Sequence, residues 1–388
     1  MSAARIALST IFFLNGAVLA SWLPHIPAVK SRLGIGDAAL GLTLLGMAAG
    51  AVVALPLAGW LVSWLGSRVM TSAAAVIFCV AMPLPFFSPD VPSLTLSLGL
   101  LGASNGLLDV SMNAQAAALE RRLGRTIMSS LHGLFSVGGV AGALVAAGAM
   151  AAGLSDAHHV VGAALVALVL AAFALPRLVP SSPDATIGRS PLARPSRALL
   201  GLGALAFLGL LAEGAMADWS AVYLRDTLGA SSALAAVGFA AFSFAMATGR
   251  FAGDGVIDRL GPRSALRVSG AVAAGGLAAA LVIGRPAAGI VGCGLMGLGI
   301  ANIVPIVFSA AARVSGVGPG RALAAVATTG YLGFLCGPPL IGGLAQAAGL
   351  ATGLAVVSLA CALVAAWAAL LPERHDLDRR ATIVTESL

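Results

Sequence analysis

Charge is the scarcest commodity in this sequence. Only 10% of its 388 residues are Asp, Glu, Lys or Arg, and aromatic residues make up 5%. A soluble domain carries about 25% charged residues. A chain that is 59% hydrophobic with so few charges therefore has no means of building a water-facing surface of this size. Cysteine is scarce too. Cys79, Cys293, Cys336 and Cys361 fall inside apolar runs without CxxC spacing, which excludes a disulfide framework or a thiolate metal site. No GxxxxGK[ST] loop, HExxH, GxSxG or metal-ligand cluster occurs. An ATP-driven pump or a hydrolase has no motif to rest on, and neither cofactor nor metal is expected. Basic patches interleaved with aromatics are missing as well, so the net charge of +7 does not point to nucleic acid.

What is present is a series of apolar runs of about 20–25 residues, each enough to cross a ~30 Å hydrocarbon layer as a helix. Twelve spans are predicted: 6–29, 38–63, 69–88, 93–119, 127–153, 157–178, 198–223, 232–256, 264–283, 287–312, 322–347 and 351–371. Barrel strands would alternate apolar and polar residues over about 10 positions, and these runs do not. With the N-terminus in the cytoplasm, seventeen of the 22 basic residues fall on the cytoplasmic side and four outside, with Arg250 within a span. This asymmetry predicts a multi-pass protein of the bacterial inner membrane with both termini cytoplasmic.

The segment VPSSPDATIGRSPLARPSR, residues 179–197, reads as a cytoplasmic linker. It separates a six-helix unit at 1–178 from a second at 198–371, followed by a tail at 372–388. The halves echo each other. GWLVSWLGSR near residue 59 matches DGVIDRLGPR near 254, and GLLGASNGLLD (Gly99–Asp109) matches GLMGLGIANIV (Gly294–Val304). RTIMSSLHGLFSVGG from Arg125 parallels RALAAVATTGYLGFLCGPP from Arg321. Paired six-helix repeats of this kind place substrate sites near the bilayer midplane between the repeats.

On these motifs the chain resembles the major facilitator superfamily over nearly its whole length. GVIDRLGPR is similar to the superfamily's signature loop G-x-L-x-D-R-x-G-R-[RK], and its first-half copy has Ser63 in place of the aspartate. ASWLPHIPAVK, SSLHGLFSVGG, LLAEGAMADW, ATGRFAGDGVIDR and VATTGYLGFLCGPPL together resemble its MosC/YbjJ-like branch. The resemblance implies an all-α polytopic membrane protein: twelve transmembrane helices in two pseudo-symmetric six-helix bundles, acting as a monomer. It also implies that the first, fourth, seventh and tenth helices line a central cavity, and it points to a small polar solute such as a sugar or polyol derivative.

Within the spans a few polar residues stand out. Asn105, Asp109 and Asn113 are spaced i, i+4, i+8 and share one helix face. Ionisable residues inside spans are costly and face a bundle interior or an aqueous cavity. Asp109 is expected either as a protonatable group beside such a cavity or as a member of a structural network. Glu213, inside the seventh span, is the second proton-coupling candidate. His132 is a third, because histidine titrates near neutral pH; a packing role is the alternative. Asn15 and Trp22, Ser136, Asp218 and Trp219, Asn302 and Tyr331 are candidate substrate contacts. Trp219 is equally readable as an interface anchor. Arg250 and Asp254 are i, i+4 and precede Asp258 and Arg259; with Arg68 they are expected to form a cytoplasmic gate. His158 and His159 are expected to be solvated.

The expectation is a secondary transporter, not an enzyme, with a small molecule, protons and the lipid bilayer as its partners. Two rivals are proton-coupled efflux of amphipathic compounds and a non-transporting receptor or scaffold. GFLCGPPLIGG resembles the glycine-proline motif of antiporters but lies in the eleventh span, whereas that motif belongs in the fifth.

Overall fold

The computed structural model describes residues 3–124, 127–180, 197–311, 313–314 and 319–371. Most of the linker predicted at 179–197 and the whole tail at 372–388 lie outside the described residues.

Twelve long helices follow in order: α1 Ala3–Trp22, α2 Asp37–Leu65, α3 Ser67–Ala81, α4 Val91–Leu123, α5 Met128–Ala151, α6 Asp156–Ala174, α7 Arg197–Val222, α8 Ser232–Leu260, α9 Pro262–Ile283, α10 Pro286–Ile300, α11 Pro319–Ala348 and α12 Leu350–Ala366. Short helical turns extend several of them. Leu23–His25 and Ile26–Leu33 continue α1, where Pro24 and Pro27 tighten the backbone. A π-helical turn, Tyr223–Thr227, ends α7, and Ile303–Ala311 continues α10 after a break at residues 301–302. Among the described residues, eleven helical stretches are long and apolar enough to cross a bilayer. The twelfth predicted span falls on α11, a 30-residue helix with Pro338 and Pro339 in its interior.

Local chemistry sets the ends. Asp90 opens α4 with a reciprocal capping box to Ser93, and these bonds hold its carboxyl below the usual carboxylate range. Ser155 and Ser231 cap α6 and α8 by accepting the His158 and Leu234 amides. The α2–α3 and α8–α9 links turn on Gly66 and Gly261, at φ 81° and 76°, a region that side chains with a Cβ avoid.

The helices alternate in direction, so the first and last described residues, 3 and 371, share one end of the bundle, called here the termini end. Arg5 bonds to Ser130, Arg68 to the Pro176 carbonyl at 2.7 Å and Arg263 to the Leu371 carbonyl at 2.8 Å, all at that end. At the opposite end Arg32 donates to the Ser88 carbonyl at 2.9 Å.

With so little charge, glycine makes the helix contacts. A Cβ on Gly102 would overlap the Met47 carbonyl oxygen between α2 and α4, and one on Gly138 would overlap that of Phe13 between α1 and α5. In the second half Gly297 meets the Phe242 carbonyl, joining α8 and α10. Small residues let membrane helices pack backbone to backbone, where van der Waals contact replaces the hydrophobic effect. Outside this packing, Leu96, Phe173, Phe244 and Val282 are exposed, forming an apolar exterior suited to lipid.

The halves meet along two seams. In one, α2 packs on α11, with Gly41 against the Pro338 carbonyl and Gly342 against that of Asp37. In the other, α5 packs on α8, where Gly133 receives the Phe251 ring. An ion pair also ties the halves: Lys30 lies 2.8 Å from Asp226, at the opposite end, and 2.7 Å from Asp37.

Candidate functional site

Asp109, Asn113, His132, Glu213, Arg250 and Tyr331 lie in five helices drawn from both halves. Asn113 donates to Asp109 Oδ1 at 3.1 Å and to its carbonyl at 2.8 Å, which confirms the shared face read from the i, i+4 spacing. The Asn113 side-chain oxygen meets His132 Nε2 at 3.2 Å, linking α4 to α5. His132 also packs edge-on against Phe12 of α1, with ring centres 5.3 Å apart. In the second half, Arg250 donates to Glu213 Oε1 at 3.4 Å, joining α8 to α7.

The two groups are in electrical contact. His132 feels the Arg250 charge, and Tyr331 of α11 lies within electrostatic reach of both Asp109 and Glu213. Glu213 and Arg250 are near the middle of their helices, with 27% and 32% of their side chains exposed. Both belong to the second half, and the link to the first half is the electrostatic reach of Arg250 to His132 and of Tyr331 to Asp109. Among the described residues no ion pair reaches Asp109, whereas the Glu213 charge is matched by Arg250.

Other predicted contacts are distributed differently. Asn15 is buried and donates to the Met112 sulfur at 3.7 Å, so it joins α1 to α4. Asn105 keeps a buried side-chain oxygen without a partner. Ser136 bonds back to the His132 carbonyl at 3.3 Å. Asn302, at the break in α10, donates to the Gly249 carbonyl at 2.9 Å, which fixes α10 against α8. Trp22 and Trp219 are 1% and 0% exposed, and both indole N–H groups lack a partner. This burial corrects the reading of Trp219 as an interface anchor. Asp218 forms no ion pair among the described residues and lies on α7 closer to the opposite end than Glu213.

The residues expected at a cytoplasmic gate have different partners. Arg250 turns to Glu213 instead of Asp254, because a carboxylate on the facing helix is available at mid-depth. Arg68 holds the end of α6 in its own half. Asp254, Asp258 and Arg259 are exposed. Asp254 and Asp258 line a cleft of about 290 Å³ with Pro305, Ser309 and Arg313 at the termini end.

Sequence reasoning missed one cluster and misjudged a member of it. His159 is 4% exposed instead of solvated, and His25 is 0% exposed. Their rings meet with His25 Nε2 at 2.7 Å from His159 Nδ1, while His25 Nδ1 lies 3.3 Å from Asp156. The signal available was His25 between Pro24 and Pro27 in an otherwise apolar stretch, but its partner is 134 residues away.

Comparison with known proteins agrees with this architecture. The family model for the Major Facilitator Superfamily matches residues 8–318 and 205–385. The chain is 38% identical to the membrane protein MosC of Rhizobium meliloti, across 94% of this chain and 89% of that one. It is 36% identical to an uncharacterised MFS-type transporter of Yersinia pestis, across 92% of each. A mutant of the nucleoside transporter NupG superposes with a TM-score of 0.80 at 14% identity, over 95% of this chain and 100% of that chain. A bacterial homologue of the human lysosomal transporter Spinster, in an inward-facing and occupied conformation, gives 0.70 at 14% identity, over 96% and 97%. By family match, by relatives and by fold, this chain belongs to the Major Facilitator Superfamily and is a membrane transporter, not an enzyme.

Proposed function

We propose that the protein is a proton-coupled secondary transporter of the bacterial inner membrane that moves a small polar solute, a sugar or polyol derivative, by alternating access. What supports this reading is that Asp109 and His132 of the first half lie within electrostatic reach of Tyr331 and Arg250 of the second, the latter paired with Glu213. The positive-inside distribution puts the termini end in the cytoplasm. The Lys30–Asp226 pair then ties the two halves at the outer end.

The two carboxylates differ in what closure costs. Glu213 and Arg250 are dehydrated together as a neutral pair. Asp109 has no ion-pair partner among the described residues and accepts from Asn113, so closing the cavity around its anion would cost several kcal/mol. A bound proton removes that charge. Occlusion therefore requires a proton at Asp109, and reopening to the cytoplasm rehydrates the carboxylate and releases it. A solute that bridges the halves through Asn113 and Tyr331 favours the occluded state only when Asp109 is protonated, which is coupling.

The polyol class rests on the sequence resemblance to the MosC/YbjJ-like branch. Nucleosides belong in the same ligand screen, because NupG is a nucleoside transporter and ribose also presents hydroxyls. Solutes that raise the melting temperature of the purified protein identify binders. In vesicles with an acidic exterior, such a solute should accumulate. Extrusion instead would replace this reading with proton-coupled efflux. Asp109→Asn should abolish accumulation while sparing exchange; normal accumulation by both Asp109→Asn and Glu213→Gln would remove the coupling assignment.

A further inference from the structure

The halves differ at the last two helices of each bundle. α11 and α12 pack directly on one another, and both rest on α7. Their counterparts α5 and α6 both rest on α1, yet barely meet. Between them lies a crevice of about 340 Å³, floored by Phe13 and Val18 of α1 and walled by Gly142 and Val145 of α5 and by Ala163 and Val166 of α6. Val145 and Val166 are exposed, so the crevice opens on the apolar exterior of the bundle. A second cleft, of about 430 Å³, runs along the other side of α6 beside Phe87, Val161 and Leu165. The two share His158 and Gly162, which are spaced i, i+4 and form one ridge of α6. Gly162 makes a saddle in that ridge, because a Cβ there would meet nothing within 4 Å.

The first crevice changes character along its length. It follows α6 from Leu170 to His158, about 18 Å at 1.5 Å per residue. One leaflet of a ~30 Å hydrocarbon layer is about 15 Å deep. At the end away from the termini the lining turns polar. His158 is exposed there, and His159 is 4% exposed with its Nε2 lacking a partner. Ser21, also in the lining, donates its hydroxyl to the Ala17 carbonyl at 2.8 Å. The lining therefore follows the profile of a lipid: hydrocarbon to mid-depth and polar groups at the surface.

We propose that a diacyl phospholipid binds astride α6, with one acyl chain in each cleft, the Gly162 saddle between the chains, and its ester and phosphate region at His158 and His159. Two apolar clefts that part from one polar point fit two chains joined at one head group. A single-chain amphiphile leaves one of them empty. Bound there, the lipid fills the wedge between α5 and α6 and holds α6 against α1. The orientation given under Proposed function assigns it to the outer leaflet; the site depends neither on that orientation nor on proton coupling.

The test is native mass spectrometry of the protein purified in a mild detergent, with melting temperatures read before and after adding palmitoyl-oleoyl phosphatidylethanolamine. The unsubstituted protein should retain one phospholipid and melt higher when that lipid is added back. Lysophosphatidylethanolamine, with a single chain, should give a smaller rise. Gly162→Leu fills the saddle and should cut retention about five-fold or more, with most of the lipid-dependent rise lost. Ala149→Leu, from the α5 wall of the crevice, should act in the same direction. Gly275→Leu on α9, at an exposed glycine whose Cβ would also meet nothing within 4 Å, should leave retention unchanged, as should Asp109→Asn. A purified protein that neither retains phospholipid nor is stabilised by it, or retention that survives both Gly162→Leu and Ala149→Leu, overturns the proposal. Equal stabilisation by the single-chain lipid overturns the two-cleft arrangement.

Discussion

Gly34 and Gly229, Gly66 and Gly261, and Gly153 and Gly349 stand at matching turns of the two halves, each with positive φ, while the mid-depth charged residues Asp109 and Arg250 have no charged counterparts. The repeat that aligns Gly99–Asp109 with Gly294–Val304 puts Val304 opposite Asp109. Arg250 aligns with Leu55. What the halves share is backbone: turns that need glycine and helix faces that pack on glycine. What they do not share is charge. The first half holds a lone carboxylate braced by an amide and a histidine, and the second holds a carboxylate with its own guanidinium. The repeat builds the scaffold, and departures from it mark the chemistry.

This contrast is sharpest at the ion pair. Arg250→Met leaves Glu213 as an uncompensated anion between the halves and should reduce transport by about 100-fold or more, with a clear fall in melting temperature. The double variant Arg250→Met/Glu213→Gln should recover the melting temperature but not transport, as read by thermal unfolding and vesicle uptake. Recovery of both would mean that the pair serves only to hold the fold.

Asp109→Asn should act differently because it removes an unmatched charge. Concentrative uptake should be lost while solute exchange across the vesicle membrane persists and the melting temperature holds or rises. A variant that loses exchange as well would place Asp109 in solute binding.

The shared scaffold predicts matched losses. Gly102→Ala in the first half and Gly297→Ala in the second each force a Cβ into a neighbouring carbonyl. Each should destabilise by about 1–3 kcal/mol. A loss confined to one half would break the structural equivalence.

The smallest effect is expected at His132. His132→Asn keeps a polar group near Asn113 and should alter apparent solute affinity by only a few-fold. It should also flatten the pH dependence of uptake. An unchanged pH profile would assign His132 to packing against Phe12.

These contrasts also separate what could be read in the chain from what could not. The spans were legible because hydrocarbon thickness sets their length, and Asp109 and Glu213 because a carboxylate in such a run is costly. The partner of Arg250 was hidden. Its local competitor, Asp254, lies one helical turn away, whereas Glu213 lies 37 residues away on another helix. The spacing of Asn15 and Trp22 gave the correct shared face, but only packing shows that Asn15 turns to Met112 and that Trp22 is sealed from solvent. His159 looked solvated because its burial depends on His25.

The most direct test of the account is proton movement during transport. A solute identified by the melting screen is added to proteoliposomes in weakly buffered medium while external pH is recorded. The account predicts that the medium turns alkaline as solute enters, and that Asp109→Asn shows no such change. Solute entry by the unsubstituted protein with no accompanying proton movement would contradict it.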